Sequence, residues 1–233
     1  MHGGSWVEGD KALEIGSFDP YQNIGRFYAA RGVGVAVINY RLQPEVTWRE
    51  QVEDVARAVG WLADRVGERG GDASRIFLSG HSAGSQLITY AAVAPWLDPL
   101  RGKAKICGVI PVSGAGFDLA DPETYRLGAK KKFYENAFRA GAPEGVWEKE
   151  ASAVTYLRPG LPPFLLFYGS KEWPSLHRQN QLLVEDLRKV GVATELIVVE
   201  KLSHPRMALA ISDEEKPLPE AILRFIGRTT CPE

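Results

Sequence analysis

The pentapeptide Gly80-His81-Ser82-Ala83-Gly84 sets a serine between two glycines, a pattern that can support nucleophilic chemistry. Residues 75–79 before it predict a short buried strand, and residues 85–93 after it predict a helix. A strand, a sharp turn and a helix hold a serine hydroxyl clear of a sheet, and glycines give the turn the room it needs. Because the pentapeptide alone also arises by chance, the prediction of a nucleophile at Ser82 depends on these flanking elements and on partners elsewhere in the chain.

A serine hydroxyl needs a base to take its proton, and the base needs a third group to fix its tautomer. The chain has four histidines. His2 lies in a glycine motif, His81 in the pentapeptide and His177 in a predicted helix. His204 follows a predicted strand, and Pro205 favours an extended conformation for it, so we expect it on a loop at the carboxyl edge of the sheet. His204 is the predicted base, and a surface histidine is the alternative.

The third group is predicted to be a carboxylate in the loop Gly169-Ser170-Lys171-Glu172-Trp173-Pro174-Ser175, which follows another predicted strand. Glu172 is the acidic residue of this loop. A solvated glutamate beside Lys171 is the alternative interpretation. If Glu172 does not fill this role, Asp213 and Asp118 are the next candidates.

The segment His2-Gly3-Gly4-Ser5-Trp6 supplies closely spaced backbone N–H groups with little side-chain obstruction. Donors of this kind, aimed at a developing oxyanion, provide one of the largest contributions to acyl transfer. Gly3 and Gly4 are therefore candidate oxyanion donors, with the N–H of Ala83 as a further one. A flexible glycine-rich segment is the alternative, and we expect mobility unless a neighbouring chain or a cap segment holds the loop.

Predicted strands and helices alternate along the chain, which indicates a mostly parallel sheet with helices on both faces. We expect one domain over residues 1–233, with residues 117–159 forming a cap or lid inserted into the alternation. Helices are expected around 52–66, 85–93 and 182–187 and from about Pro219. The predicted strands are residues 33–39, 75–79, 106–112, 164–168 and 195–199.

Composition limits the classes of function. The formal net charge of −1 gives no electrostatic case for binding nucleic acid or an anionic membrane. No apolar run is as long as a membrane span, so a cytoplasmic protein is expected. The two cysteines, Cys107 and Cys231, are expected to be buried inert thiols. No metal-ligand spacing, phosphate loop or dinucleotide motif is present, so neither a metal nor another cofactor is expected.

Several stretches together resemble the α/β-hydrolase superfamily, in its branch of small carboxylesterases, feruloyl/acetylxylan esterase-like and kynurenine formamidase-like enzymes. The resemblance implies a Ser82 nucleophile, a Glu172 acid and a His204 base, with Gly3, Gly4 and Ala83 as oxyanion donors and a small-molecule ester as substrate. The family commonly has Asp at or near the acid position and Phe after the histidine. The matching stretches are His2-Gly3-Gly4-Ser5-Trp6, Asn39-Tyr40-Arg41-Leu42, residues 80–84, Val112-Ser113-Gly114, Asp118-Leu119, Pro174-Ser175 and Arg178-Gln179.

The resemblance also implies an α/β-hydrolase fold shortened at its N-terminus. In the family a strand directly precedes His-Gly-Gly, and the strand order 1-2-4-3-5-6-7-8 places that strand inside the sheet. Here Met1 precedes His2. Either residues 33–39 pair directly with residues 75–79, or another chain fills the gap, which would make a homo-oligomer. The predicted function is a serine carboxylesterase, with an arylformamidase or amidase, or a catalytically impaired binding protein of this fold, as alternatives.

Overall fold

The computed structural model describes residues 1–13 and 19–231. Within this part of the chain, a four-stranded parallel sheet has its strands in sequential order, so each strand pairs with the next along the chain. The strands are β1 (Ile76–His81), β2 (Ile106–Val112), β3 (Phe164–Gly169) and β4 (Thr194–Val199). All four lie within a residue or two of predicted strands.

Helices connect the strands, as a parallel sheet requires. They are α1 (Pro20–Ala29), α2 (Trp48–Arg65), α3 (Ala83–Val93), α4 (Asp98–Arg101), α5 (Pro122–Arg126), α6 (Lys131–Phe138), α7 (Trp147–Ala151), α8 (Pro174–Lys189), α9 (His204–Ala210) and α10 (Pro217–Arg228). Short 3-10 turns cover Val66–Arg69, Pro95–Leu97 and Ala153–Tyr156.

The core has two apolar clusters, because successive side chains of a strand point to opposite faces of the sheet. Along β3, Phe164 and Leu166 belong to the cluster that includes residues of α2, α3 and α8. Leu165 and Phe167 belong to the second cluster, with residues of α9 and α10. The sheet therefore has helices on both faces, and the predicted α/β fold class is confirmed.

The prediction of a strand at residues 33–39 is wrong. The segment is irregular and largely exposed, with Val35 41% exposed, and no described strand pairs with it. The edge of β1 that it would have joined is contacted by Met1, whose nitrogen donates to the Ser79 carbonyl at 3.0 Å and whose carbonyl accepts from the His81 N–H at 3.2 Å. Residues 33–39 have no partner strand within the described part of the chain, and a strand takes both its hydrogen bonds and its burial from its neighbours.

The expectation of inert thiols is also wrong. Cys107 on β2 and Cys231, beyond α10, form a disulfide with their Cα atoms 4.3 Å apart. The two cysteines are 124 residues apart in the sequence, and that spacing does not reveal the contact between them. Disulfides persist mainly in oxidising compartments, so this one argues against the predicted cytoplasmic location. That location stays a prediction.

Residues 117–159 carry α5, α6 and α7 and pack beside α2 and α3. The Tyr90 hydroxyl of α3 donates to the Glu150 carbonyl at 2.7 Å, and Arg49 of α2 pairs with the Glu150 carboxylate at 2.7 Å. The segment lies next to the glycine loop, since Phe138 of α6 packs edge-on against Trp6 with ring centroids 4.7 Å apart. A cap role for this segment stays a prediction.

Candidate active site

Ser82 lies at the sharp turn between β1 and α3, with φ 55° and ψ −121°. This backbone conformation is rare for a residue with a side chain and costs on the order of 1–3 kcal/mol, which the surrounding structure must offset. The flanking glycines are required by contact: a Cβ on Gly80 would lie 2.5 Å from the Gly84 carbonyl oxygen, and one on Gly84 would lie 2.4 Å from that of His2. The strained turn lifts the Ser82 hydroxyl off the end of the sheet.

The structure brings the three predicted side chains together. Ser82 Oγ lies 2.9 Å from His204 Nε2, and His204 Nδ1 lies 3.2 Å from Glu172 Oε2. Both distances are hydrogen bonds in length. The three residues follow the carboxyl ends of β1, β3 and β4, so the parallel sheet itself sets their proximity.

One detail of His204 differs from the prediction. It begins helix α9 and is not a loop residue. Pro205 is compatible with this because the first turn of a helix has no intrahelical use for the missing proline N–H.

Glu172 is held by groups that favour its ionised form. Its Oε1 accepts the Gly169 N–H at 2.8 Å and also accepts the Ser113 hydroxyl, while its Oε2 faces His204. Burial alone would raise the pKa of this carboxyl, but the hydrogen bonds from His204, Ser113 and Gly169 outweigh it and lower the pKa below its ordinary value. The carboxylate therefore fixes the proton of neutral His204 on Nδ1, which leaves Nε2 free to accept from Ser82.

Sequence reasoning gave no role to Ser113 and Ser85. Ser113, at the end of β2, has a left-handed backbone with φ 55° and points its hydroxyl at Glu172. Ser85 fastens the turn to β2, since its hydroxyl donates to the Gly80 carbonyl at 2.6 Å and accepts from the Val112 N–H at 3.0 Å. For Ser113 a signal existed, because it directly follows a predicted strand that neighbours the strand before Glu172.

The sequence predicts no role for His81 beyond its place in the pentapeptide, yet its side chain contacts the predicted base directly. Its Nε2 donates to the His204 carbonyl at 3.0 Å, and the two imidazole rings lie 4.8 Å apart. Burial, and then the neighbouring His204, lowers the pKa of His81 to about 4. His81 is therefore neutral at physiological pH and acts as a fixed hydrogen-bond donor.

Of the predicted oxyanion residues, Gly3 lies against Ser82 and Ala83 directly follows it. A Cβ on Gly3 would lie 3.0 Å from the Ser82 Cβ, which is tighter than an ordinary contact, so a glycine here lets the backbone lie close to the serine without displacing it. Gly4 has φ 119°, a conformation that L side chains rarely adopt. Ala83 is the first residue of α3, where backbone N–H groups have no intrahelical acceptor.

Trp6 anchors the glycine loop. The residue is 1% exposed, and its Nε1 donates to Gln86 Oε1 at 3.2 Å. Its carbonyl accepts from the Gln51 side chain at 2.8 Å and from the Gln43 backbone at 3.0 Å. With Phe138 packed against the indole, the glycine loop is held by α2, by α3 and by the 117–159 segment. A hold by this segment is one of the two conditions under which the sequence predicts that the loop is not mobile.

A family model described as the alpha/beta hydrolase fold matches residues 1–208. The chain belongs to the α/β-hydrolase fold family. The predicted resemblance is confirmed at this level.

Curated relatives of this α/β-hydrolase carry esterase names. The chain is 26% identical to "Esterase LipQ" of Mycobacterium tuberculosis, over 97% of this chain and 53% of that protein. It is 36% identical to a probable isoprenylcysteine alpha-carbonyl methylesterase of Oryza sativa, over 89% of this chain and 50% of that protein. The chain thus spans about half the length of the curated relatives it matches.

Solved structures agree in fold. Esterase B of Lactobacillus rhamnosis superposes with a TM-score of 0.76 at 24% sequence identity, covering 97% of this chain and 72% of that one. No helix in the described part of this α/β-hydrolase has the length and apolar character needed to cross a bilayer.

Proposed function

We propose that this α/β-hydrolase is a serine esterase that cleaves carboxylic esters of small molecules through an acyl-enzyme on Ser82. The observation that carries the proposal is the hydrogen-bonded series Ser82 Oγ, His204 Nε2, His204 Nδ1 and Glu172 Oε2, with separations of 2.9 and 3.2 Å. A nucleophile, a base and a group that orients the base are the parts that acyl transfer by serine requires. The esterase names of the curated relatives support the same class of reaction.

In the first step, His204 Nε2 takes the Ser82 proton as Oγ attacks the ester carbonyl carbon. The carbonyl oxygen gains negative charge and lies against the backbone N–H groups of Gly3, Gly4 and Ala83. When the tetrahedral intermediate collapses, the bond to the alcohol oxygen breaks, and His204 returns the proton to that oxygen.

In the second step, His204 Nε2 takes a proton from a water molecule, which attacks the acyl carbon. The bond from that carbon to Ser82 Oγ then breaks, and His204 returns the proton to Oγ, which releases the acid and restores the serine hydroxyl. Glu172 stays ionised throughout and stabilises the imidazolium that forms in both halves of the reaction. The low pKa of its carboxyl suits this role, because it remains a carboxylate beside a protonated His204.

The test is hydrolysis of a short-chain p-nitrophenyl ester together with covalent labelling by a fluorophosphonate. Wild-type protein should turn over the ester and gain the mass of one label, whereas Ser82→Ala should lose the label and on the order of 10⁶-fold in turnover. Ser79→Ala is the matched control, since Ser79 lies on the same strand and its hydroxyl bonds the Ile110 carbonyl at 3.3 Å. A folded wild-type protein that neither labels nor turns over would contradict the proposal and favour the binding protein of this fold.

A further inference from the structure

Trp173 is a tryptophan exposed beside the proposed base. The residue is 61% exposed, whereas Trp6, Trp48 and Trp147 are 1–2% exposed in the core. An exposed apolar side chain needs no explanation by itself. This one contacts His204, with the indole and imidazole centroids 5.4 Å apart and the planes inclined by 48°. The indole is therefore an apolar surface placed at the reacting centre.

The backbone beneath the indole is fixed. Trp173 has φ −66° and ψ 142°, and Pro174 restricts it to this extended region. Its carbonyl accepts from the N–H groups of Leu176 at 2.9 Å and His177 at 3.2 Å, at the start of α8. On its other side, Glu172 is tied to Gly169 and His204. A side chain presented from such a segment loses little further freedom when a ligand packs against it.

The mechanism of acylation determines which part of the substrate lies near the Trp173 indole. His204 Nε2 must reach the alcohol oxygen to return the proton as the carbon–oxygen bond breaks, so that oxygen lies within hydrogen-bond distance of the imidazole. The group attached to the oxygen then starts beside the same imidazole that Trp173 contacts. The carbonyl oxygen, in contrast, is directed at the glycine loop, whose own tryptophan is buried.

We infer that Trp173 forms an apolar wall for the alcohol part of the ester and makes the enzyme selective for aryl over small alkyl alcohols. The inference depends on the proposed esterase function and extends it to a substrate class. Offset or edge-on contact of an aromatic alcohol with the indole is an ordinary aromatic pair. Methanol or ethanol as the alcohol part offers the indole too little surface to make such a contact.

The test compares phenyl acetate with ethyl acetate, which share an acyl group and hence an acyl-enzyme. Trp173→Ala should lower the ratio of kcat/KM for phenyl acetate to that for ethyl acetate by about 10-fold, which is about 1.4 kcal/mol. Trp173→Phe should restore most of the ratio, because a phenyl ring can still pack on an aryl group. Hydrolysis of the acetyl-enzyme should be unchanged, since the alcohol has already left.

Trp61→Ala is the matched control. Trp61 is 62% exposed on α2. This part of α2 packs closely against α4, since a Cβ on the neighbouring Gly60 would lie 2.5 Å from the Leu100 carbonyl oxygen. It should leave the ratio unchanged. An unchanged ratio in Trp173→Ala with esterase turnover retained would overturn the inference alone. An equal loss on both acetates would instead show that the indole only supports His204, and a changed ratio of ethyl butyrate to ethyl acetate would place it on the acyl side. If the wild-type protein cleaves no ester, the proposed function itself fails.

Discussion

Glu172→Gln tests how the buried carboxylate controls the base, because the structure dictates which way the new amide must lie. At Oε1 the side chain receives two hydrogen bonds, from the Gly169 N–H at 2.8 Å and from the Ser113 hydroxyl. An amide nitrogen there would set donor against donor at the Gly169 N–H. The amide oxygen therefore occupies the Oε1 position, and the NH2 group faces His204 Nδ1.

This orientation forces the wrong tautomer on the base. Nδ1 of His204 must accept from the new NH2 group, so the imidazole proton moves to Nε2, where it points at Ser82 Oγ. An imidazole protonated at Nε2 cannot take the serine proton. The expected loss in kcat is about 10⁴-fold, or roughly 5.5 kcal/mol of transition-state stabilisation, with the fold retained.

The assay is the steady-state hydrolysis of a p-nitrophenyl ester, with circular dichroism and the urea midpoint as measures of folding. Glu148→Gln is the matched control, since Glu148 is buried to a similar degree but bonds the Gly145 N–H at 2.6 Å on the 117–159 segment. If Glu172→Gln folds normally and stays within about threefold of wild type, Glu172 does not orient His204. Asp118 and Asp213 would then be the next carboxylates to test.

Three further predictions concern stability and association. Burial, and then His204, holds the pKa of His81 near 4 against an ordinary 6.5, so below pH 6.5 the unfolded chain takes up a proton that the folded chain does not. The unfolding free energy should therefore fall by about 3 kcal/mol between pH 6.5 and 4. Urea titrations that show no pH dependence over this range would contradict the prediction. Cys231→Ser should lower the unfolding free energy by about 4–5 kcal/mol in the chain-entropy model, because the disulfide closes a separation of 124 residues, and an unchanged urea midpoint under non-reducing conditions would show that the disulfide does not form. If copies of the chain associate at the edge of β1 that Met1 contacts, molecular mass and specific activity should rise together across a concentration series; a monomer with constant activity at every concentration would exclude this.

The strands that pair in the structure were predictable because each is an apolar run between helical segments. The regularity of a parallel sheet then placed their carboxyl ends together. Residues 33–39 are a similar apolar run but do not form a strand, because pairing also depends on how a segment lies against its neighbours and not on the apolar run alone. The disulfide between Cys107 and Cys231 was unpredictable for a related reason: contact between residues so far apart in sequence depends on the whole topology.

The candidate site was predictable to the extent that its residues follow strand ends. Ser82, Glu172 and His204 each do, and the fold brings them together without further information. The supporting contacts are of another kind. Ser113 reaches Glu172 through a single strained backbone conformation, and His81 reaches the His204 carbonyl through its own ring, so neither follows from spacing along the chain.

The glycine loop shows why such supporting contacts matter to the chemistry. An oxyanion donor contributes roughly 2.7–4 kcal/mol only if its N–H is already in place when charge develops. Two adjacent glycines make the close approach to Ser82 possible, but they also give the backbone its greatest freedom. Trp6, only two residues beyond Gly4, limits this freedom. Its buried indole is hydrogen-bonded to a side chain of α3, and its carbonyl is hydrogen-bonded to a side chain of α2. The freedom that lets the loop approach the serine is thus confined by a tryptophan that is buried in the core.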